Sequence, residues 1–262
     1  MTIPQSSYVG RHAELYDLFY AGKSYSAEAQ FVHACLRQYG SGASRRLLEV
    51  ACGTGNHAFE MEKLGYQIVA TDYSADMLAQ AQRKARENGS QIDFRLQDMR
   101  SLDLAERPFD VVMCLFDSLG YVATNENLLK VLEGVHSHLK PQGLFVFEFW
   151  HAPAMLKNYE PLRLKRWHQS DRDVLSISET ELDYAYQLAH VSYTVYELFA
   201  NGRYSTFTEK QTNRYFSLQE MNALLTISGF EPFKAFSGFD EDERITDTTW
   251  HVVMIARRQS EQ

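Results

Sequence analysis

The sequence predicts an α/β fold: a doubly wound, mostly parallel sheet with an antiparallel final strand, plus an inserted antiparallel β segment. Three observations carry this. Over the first 150 residues, apolar runs of strand length alternate with stretches of helical periodicity, and strand–helix–strand repetition means parallel strands joined by crossover helices. The first apolar run ends in a glycine-rich turn at residues 52–55, where a strand gives way to a helix. After Trp150 the alternation stops and β-rich segments take over.

Each element has its own signal. Residues 46–51 are a short apolar strand, and the helix after the glycine turn runs through Leu64 to a stop at Gly65. Residues 67–71 form the second strand. Ser74 then caps a helix whose Met77, Leu78, Ala81 and Ala85 share one face, ended by Asn88-Gly89. Residues 92–96, 109–115 and 144–149 are the third, fourth and fifth strands. Between the last two, Leu128, Val131, Leu132, Val135 and Leu139 make a helical stripe that stops at Pro141-Gln142-Gly143. Residues 162–216 read as antiparallel strands with a hairpin at Asn201-Gly202. Ser217 and Glu220 form a capping box opening a helix through Ile227, closed by Gly229, and residues 230–236 and 250–256 finish the sheet. The domain reading is therefore residues 1–160 with 217–262 as the main domain, residues 1–42 being its N-terminal segment. Residues 161–216 are an insertion, read either as a cap over the active site or as an oligomer surface that makes a homodimer.

Composition narrows the function. The 262 residues carry a net charge of −8, which argues against a phosphate-backbone partner and so against nucleic acid. The basic stretch at residues 162–167, with Arg163, Lys165 and Arg166, alternates with apolar residues and reads as one face of a strand. No apolar run reaches membrane-span length. Cys35, Cys52 and Cys114 are scattered in apolar contexts, which suits reduced thiols in a cytoplasmic protein. The histidines show no ligand spacing, so no metal is expected.

The chemistry concentrates at three successive strand ends. Gly53 and Gly55 let the chain turn sharply beside a ligand, and the helix that follows aims free N–H groups into the same crevice. Asp72, 17 residues past Gly55, closes the second strand, where a carboxylate can accept ribose hydroxyls. Asp98 follows the third, where it can accept from an adenine amine while the next backbone N–H meets a ring nitrogen. The run from Gly53 to Ala58 also satisfies the G-x-G-x-x-A dinucleotide pattern. Glu49, just before the loop, disfavours a pyrophosphate and favours a sulfonium and an ammonium. Together, Glu49, Asp72 and Asp98 favour S-adenosyl-L-methionine over a nicotinamide cofactor.

The runs LEVACGTG, ATDYS, QDMRSLDL and FDVVMCLFDSLGYV resemble the successive motifs of class I S-adenosylmethionine-dependent methyltransferases, with a Rossmann-like fold, over about residues 45–150. More narrowly, YDLFYAGKSY, the FDSLGYV loop and the EFW ending look like small-molecule enzymes that methylate nucleotide-linked amino sugars. The resemblance implies that Gly53 and Gly55 shape the methionine pocket and that the Ala51 carbonyl meets the ammonium. It further implies that Asp72 holds the ribose, Tyr73 lines the pocket and Asp98 with Met99 binds adenine. It also implies that Leu115 falls beside the sulfonium, that residues 1–42 form an N-terminal lid and helix to which Tyr16 and Tyr25 belong, and that Met77 joins the cofactor set. Where the sugar enzymes often carry a histidine after the glycine of the fourth-strand loop, this chain has Tyr121.

Methyl transfer from a sulfonium is an in-line displacement that mainly needs alignment and exclusion of water. An amine can attack once unprotonated; a hydroxyl needs a general base. Candidate catalytic groups are Asp117, Tyr121, Tyr16 and His151. Trp150 and Trp167 are candidates for an aromatic wall around a sugar or nucleotide, and Arg244 for an anion on the acceptor. The leading reading is N-methylation of a nucleotide-linked amino sugar. The alternatives are a small-molecule O-methyltransferase, a glycine-type N-methyltransferase, an NAD-dependent oxidoreductase and a non-catalytic cofactor-binding subunit.

Overall fold

A computed structural model describes residues 7–40 and 45–260; residues 1–6 and 41–42 of the expected N-terminal segment lie outside them. Two helices come first, α1 (Gly10–Phe19) and α2 (Tyr25–Tyr39). The alternating part is β1 (Arg46–Val50), α3 (Asn56–Lys63), β2 (Gln67–Asp72), α4 (Ala75–Asn88), β3 (Asp93–Leu96), β4 (Phe109–Cys114), α5 (Asn125–His138) and β5 (Leu139–Trp150). A short helix α6 (Ala152–Asn158) leads into β6 (Leu162–His168), β7 (Arg172–Asp183), β8 (Leu188–Phe199) and β9 (Tyr204–Arg214). The chain ends with α7 (Leu218–Ile227), β10 (Phe230–Ser237) and β11 (His251–Arg258).

The main sheet has the order β10-β11-β5-β4-β1-β2-β3. Strands β1 to β5 pair in parallel, and β11 runs antiparallel to both β5 and β10, as the sequence predicts. The direction of winding reverses at β1, which sits between β2 and β4, so a crevice opens at the carboxyl ends of β1 and β4. Helices cover both faces. Leu128, Val131 and Leu132 of α5 and Leu225 of α7 pack against Phe145, Phe147 and Phe149. On the other face, Val32 and Leu36 of α2 and Ala58 and Met61 of α3 pack against Leu47, Val111 and Val146. Fully burying a large apolar side chain of this kind contributes roughly 1.5–3 kcal/mol.

The local signals act as their chemistry dictates. Ser74 Oγ accepts the Met77 N–H at 3.2 Å to cap α4, and Gly89 ends it at φ 68°. Ser217 and Glu220 exchange both bonds of the capping box. One boundary differs from the sequence reading: α5 ends at His138 and β5 begins at Leu139, ahead of Pro141-Gln142-Gly143. Leu139 pairs with Phe109 and the register then shifts before Leu144 meets Val111. The Pro-Gln-Gly run therefore makes a kink within the strand, with Gln142 at φ 63°, instead of stopping the helix.

Strands β6 to β9 form a separate antiparallel sheet in sequence order. It sits over α1, with Leu15 packed on Val174 and Val195. Its last strand meets the single-turn helix Ser118–Val122 so closely that a Cβ on Gly120 would stand 1.9 Å from Asn213 Oδ1. The inserted sheet thus rests on the crevice and roofs it.

Candidate active site

The turn after β1 passes through left-handed geometry at Ala51, Gly53 and Gly55, with φ of 55°, 57° and 78°. Asp72 fastens it: Oδ2 accepts the Gly53 N–H and Oδ1 the Ser74 N–H, each at 2.8 Å. Burial raises the Asp72 carboxyl to about 6 in spite of these bonds. A Cβ on Gly55 would stand 2.9 Å from the Phe94 ring, and one on Gly53 3.2 Å from Met77 Cε. Asp72, Gly55 and Met77 therefore brace the loop from behind and are not among the residues lining the clefts in front of it.

Those clefts adjoin. Tyr16, Tyr25, Glu49, Ala51, Gly53 and Leu115 line the first; Ala51, Tyr73, Asp98 and Met99 line the second. Ala51 and Ser118 line both, so one elongated ligand can run through the two. Glu49 lines the first with a buried carboxyl. It is 2% exposed, its Oε2 has no hydrogen-bond partner, and burial pushes the carboxyl up to about 8. A buried carboxyl oxygen without a partner is costly, and a hydrogen-bonding or cationic group beside it relieves that cost. In the second cleft Asp98 has an in-chain partner: Arg100 Nε lies 3.0 Å and 2.9 Å from its two oxygens. Burial opposes it, but Arg100 holds the Asp98 carboxyl below its ordinary value.

The N-terminal segment closes over these clefts. Asp17 of α1 accepts from Thr54 Oγ1 at 2.7 Å, Asn56 Nδ2 at 3.0 Å and Lys84 Nζ at 2.9 Å. Farther out, Tyr73 Oη donates to the Ser7 carbonyl and Ser74 Oγ to the Tyr8 carbonyl. Tyr8, which the sequence did not single out, joins Tyr121 hydroxyl to hydroxyl.

Beyond the lid and under the inserted sheet lies a cavity of about 490 Å³. Phe116 lines both this cavity and the first cleft; Tyr121 lines both it and the second. Trp150 and Trp167 line it too, as expected, and Trp250 joins them. At the junction, Phe116 and Asp117 adopt consecutive left-handed conformations, φ 59° and 55°. Such geometry is costly for non-glycine residues and is found where surrounding contacts enforce it. Here Glu148 Oε2 accepts the Phe116 N–H at 2.7 Å, and Asn213 Nδ2 donates to the Asp117 carbonyl at 3.3 Å.

The turn delivers Asp117 to His251. Nδ1 of that imidazole lies 2.9 Å from Asp117 Oδ2 and 3.0 Å from Glu148 Oε1. The Asp117 carboxylate is the largest influence raising His251 to about 11. Burial raises Asp117 to about 6, partly offset by His251. Burial also acts to raise Glu148, but the hydrogen bond from His251 holds it below its ordinary value. At neutral pH the three sum to one negative charge. They are also the group of histidine and carboxylate donors, among the described residues, that lie within 4.8 Å of one another.

Of the four catalytic candidates, Asp117 is the one that brings a carboxylate to the wall of the large cavity. Burial drives the Tyr16 and Tyr121 phenols upward, so both keep their protons. His151 is a correction: it is 5% exposed, precedes α6, places Nδ1 3.2 Å from the Thr249 carbonyl oxygen, and is absent from the cavity lining. Arg244 is exposed on the loop between β10 and β11 and does not line the cavity. The sequence reading passed over His251 and Glu148. The signal for Glu148 was a lone acid inside the apolar run Phe145–Phe149, which a folded core tolerates only with a partner.

Comparison with known proteins points the same way. Residues 47–143 match the family model of a methyltransferase domain. A dTDP-3-amino-3,6-dideoxy-alpha-D-glucopyranose N,N-dimethyltransferase of Streptomyces fradiae is 38% identical over 160 residues, 60% of this chain and 59% of that protein. A dTDP-4-amino-2,3,4,6-tetradeoxy-D-glucose N,N-dimethyltransferase of Saccharopolyspora spinosa is 30% identical over 227 residues, 86% of this chain and 87% of that one. Among solved structures, the sugar N-methyltransferase KedS8 from Streptoalloteichus sp ATCC 53650 superposes with a TM-score of 0.78 at 25% identity, covering 99% of each chain.

Proposed function

The chain belongs to the S-adenosylmethionine-dependent methyltransferases, and from that premise we propose that it methylates the amino group of a sugar carried on a nucleoside diphosphate. The observation that carries this reading is the Asp117 carboxylate at the junction of cofactor cleft and acceptor cavity, beside Phe116, which lines both.

S-adenosylmethionine, when bound, supplies a methyl group on a sulfonium with a neutral thioether as leaving group. The residues around it do the positioning. Glu49 and the Ala51 carbonyl receive the ammonium, while Asp98 and Met99 take the adenine. Phe116 and the lid tyrosines exclude water, which strengthens every charge interaction inside. Asp117 accepts N–H bonds from the incoming amine and so turns its lone pair toward the methyl group. The amine enters in its neutral form, its proton already lost to bulk water, and the single negative charge left by Asp117, Glu148 and His251 balances the ammonium that methyl transfer produces.

An amine fits this site better than a hydroxyl. O-methylation calls for a general base, yet the Tyr16 and Tyr121 phenols hold their protons, His251 already carries one, and Asp117 at about 6 is too weak a base to draw the proton of an alcohol. Glycine, the acceptor named for other relatives, would leave most of a cavity of about 490 Å³ unused. The amino sugars named for the relatives described above suit both its size and its aromatic walls.

The test is methyl transfer from methyl-labelled S-adenosylmethionine to three acceptors: a dTDP-linked amino sugar, the same sugar with a hydroxyl in place of the amine, and glycine. Label entering the first alone supports the reading. Label entering glycine or the hydroxyl sugar at a comparable rate contradicts it.

A further inference from the structure

The acceptor cavity has a basic side that the methyl-transfer step does not use. Side chains alternate across a strand, and β6 divides its three basic residues accordingly. Arg166 lies on the outer face, paired with Asp173. Arg163 and Lys165 line the cavity together with Trp167. Across the sheet, Arg163 stands opposite Ser178 and Lys165 opposite Ser176, and both serines line the same cavity. Two cations and two hydroxyls therefore share one patch of wall.

Their partners leave them free to bind. Glu160 Oε2 takes only Arg163 Nε, at 2.7 Å, which leaves the terminal guanidinium nitrogens open. The Trp250 ring, 5.9 Å from Arg163 Cζ, holds the guanidinium in place. Lys165 has neither an ion pair nor a hydrogen bond among the described residues. Other arginines near the inserted sheet are spoken for: Arg11 and Arg172 by Glu197, Arg214 by Glu220.

We propose that Arg163 and Lys165, with Ser176 and Ser178, form the subsite that grips the diphosphate of the acceptor. The inference rests on the nucleotide-sugar reading above and says which residues enforce it. A planar guanidinium and a mobile ammonium beside hydroxyl donors match the two phosphates of a nucleoside diphosphate. The amine end of the acceptor then points to Asp117, and the enzyme selects carried sugars over free ones through binding strength at the far end of the cavity.

The test is calorimetric titration of the full chain with thymidine diphosphate and, separately, with thymidine. Wild-type protein should bind the diphosphate more tightly, roughly 10- to 100-fold as for hydrogen bonds to charged groups. The variant K165Q, and the double variant R163Q with K165Q, should lose that advantage stepwise. Thymidine and S-adenosylmethionine affinities should stay as in wild type, which also reports that the variants are folded. Wild-type-like diphosphate binding by the double variant overturns the subsite and leaves the acceptor reading standing. Failure of the wild-type protein to bind either nucleotide overturns both.

Discussion

His251 Nδ1 lies 2.9 Å from Asp117 Oδ2, joining the first residue of the last strand to a turn 134 positions earlier in the chain. The bond fixes the carboxylate at the place where cofactor cleft and acceptor cavity meet.

Breaking that bond from either side separates chemistry from cofactor binding. Asp117→Asn and His251→Ala should each lower kcat on the order of 100-fold, as misplacement of an aligned reactant does. The S-adenosylmethionine Kd should change little, because neither side chain lines the cofactor clefts. Steady-state kinetics with parallel calorimetry checks both halves; a large loss of cofactor affinity would sink the assignment.

The pH profile carries a sign that follows from the same pair. If ionised Asp117 holds the acceptor as proposed, its carboxyl being raised to about 6, kcat should fall as pH drops through about 6. His251 is the influence that lowers Asp117 against its burial. His251→Ala should therefore move the acid limb to higher pH. A limb that stays in place in that variant contradicts the pairing.

Glu49 predicts a linkage between protons and cofactor. With its carboxyl at about 8 in the free protein, cation binding at neutral pH should release a proton, read as a buffer-dependent heat in calorimetry. Because the folded value is raised above the unfolded one, the stability it contributes is fully present below about pH 4.3 and lost as pH rises through about 8. Glu49→Gln should abolish the proton release and flatten that part of the stability profile.

Asp72 and Asp98 should differ because Asp98 lines a cleft while Asp72 braces the loop behind it. Asp98→Ala should weaken S-adenosylmethionine binding by about 1–3 kcal/mol, as for a lost charged hydrogen bond. Asp72→Ala should lower the unfolding free energy, since it strips the acceptor from the Gly53 and Ser74 amides, and should weaken the cofactor only through the loosened loop. Chemical denaturation without ligand distinguishes the two.

Gly120 is the point where the inserted sheet rests on the site. Its Cβ would overlap Asn213 Oδ1 and stand 2.7 Å from the Arg214 carbonyl oxygen. Gly120→Ala should cost about 1–3 kcal/mol of stability, in the range of overpacking, and should raise KM for the acceptor as the roof shifts. An unchanged KM would argue against the sheet as a substrate cap.

Local chemistry made the crevice at the strand ends readable as a place in the fold. The glycine turn, the strand-end acids Asp72 and Asp98, the Ser74 cap and the Ser217–Glu220 box all lie within short windows of sequence. The acceptor half is assembled from residues far apart in the chain, and there local reading misplaced the chemistry. His151 follows β5 directly but turns to the Thr249 carbonyl. His251, a hundred residues on, reaches the site because β11 pairs antiparallel with β5 and sets it opposite Trp150. The sequence pattern groups Arg163, Lys165 and Arg166 as one face of a strand, yet Arg166 falls on the other face beside Asp173, and which face turns inward depends on the pairing of β6 with β7.

The most direct measurement is a crystal structure of the ternary complex with S-adenosylhomocysteine and a dTDP-linked amino sugar. The prediction is an amine nitrogen at hydrogen-bond distance from the Asp117 carboxylate, about 3 Å, with its free side toward the sulfur across Phe116. An amine held elsewhere, or a sugar bound outside the cavity under the inserted sheet, would contradict the account.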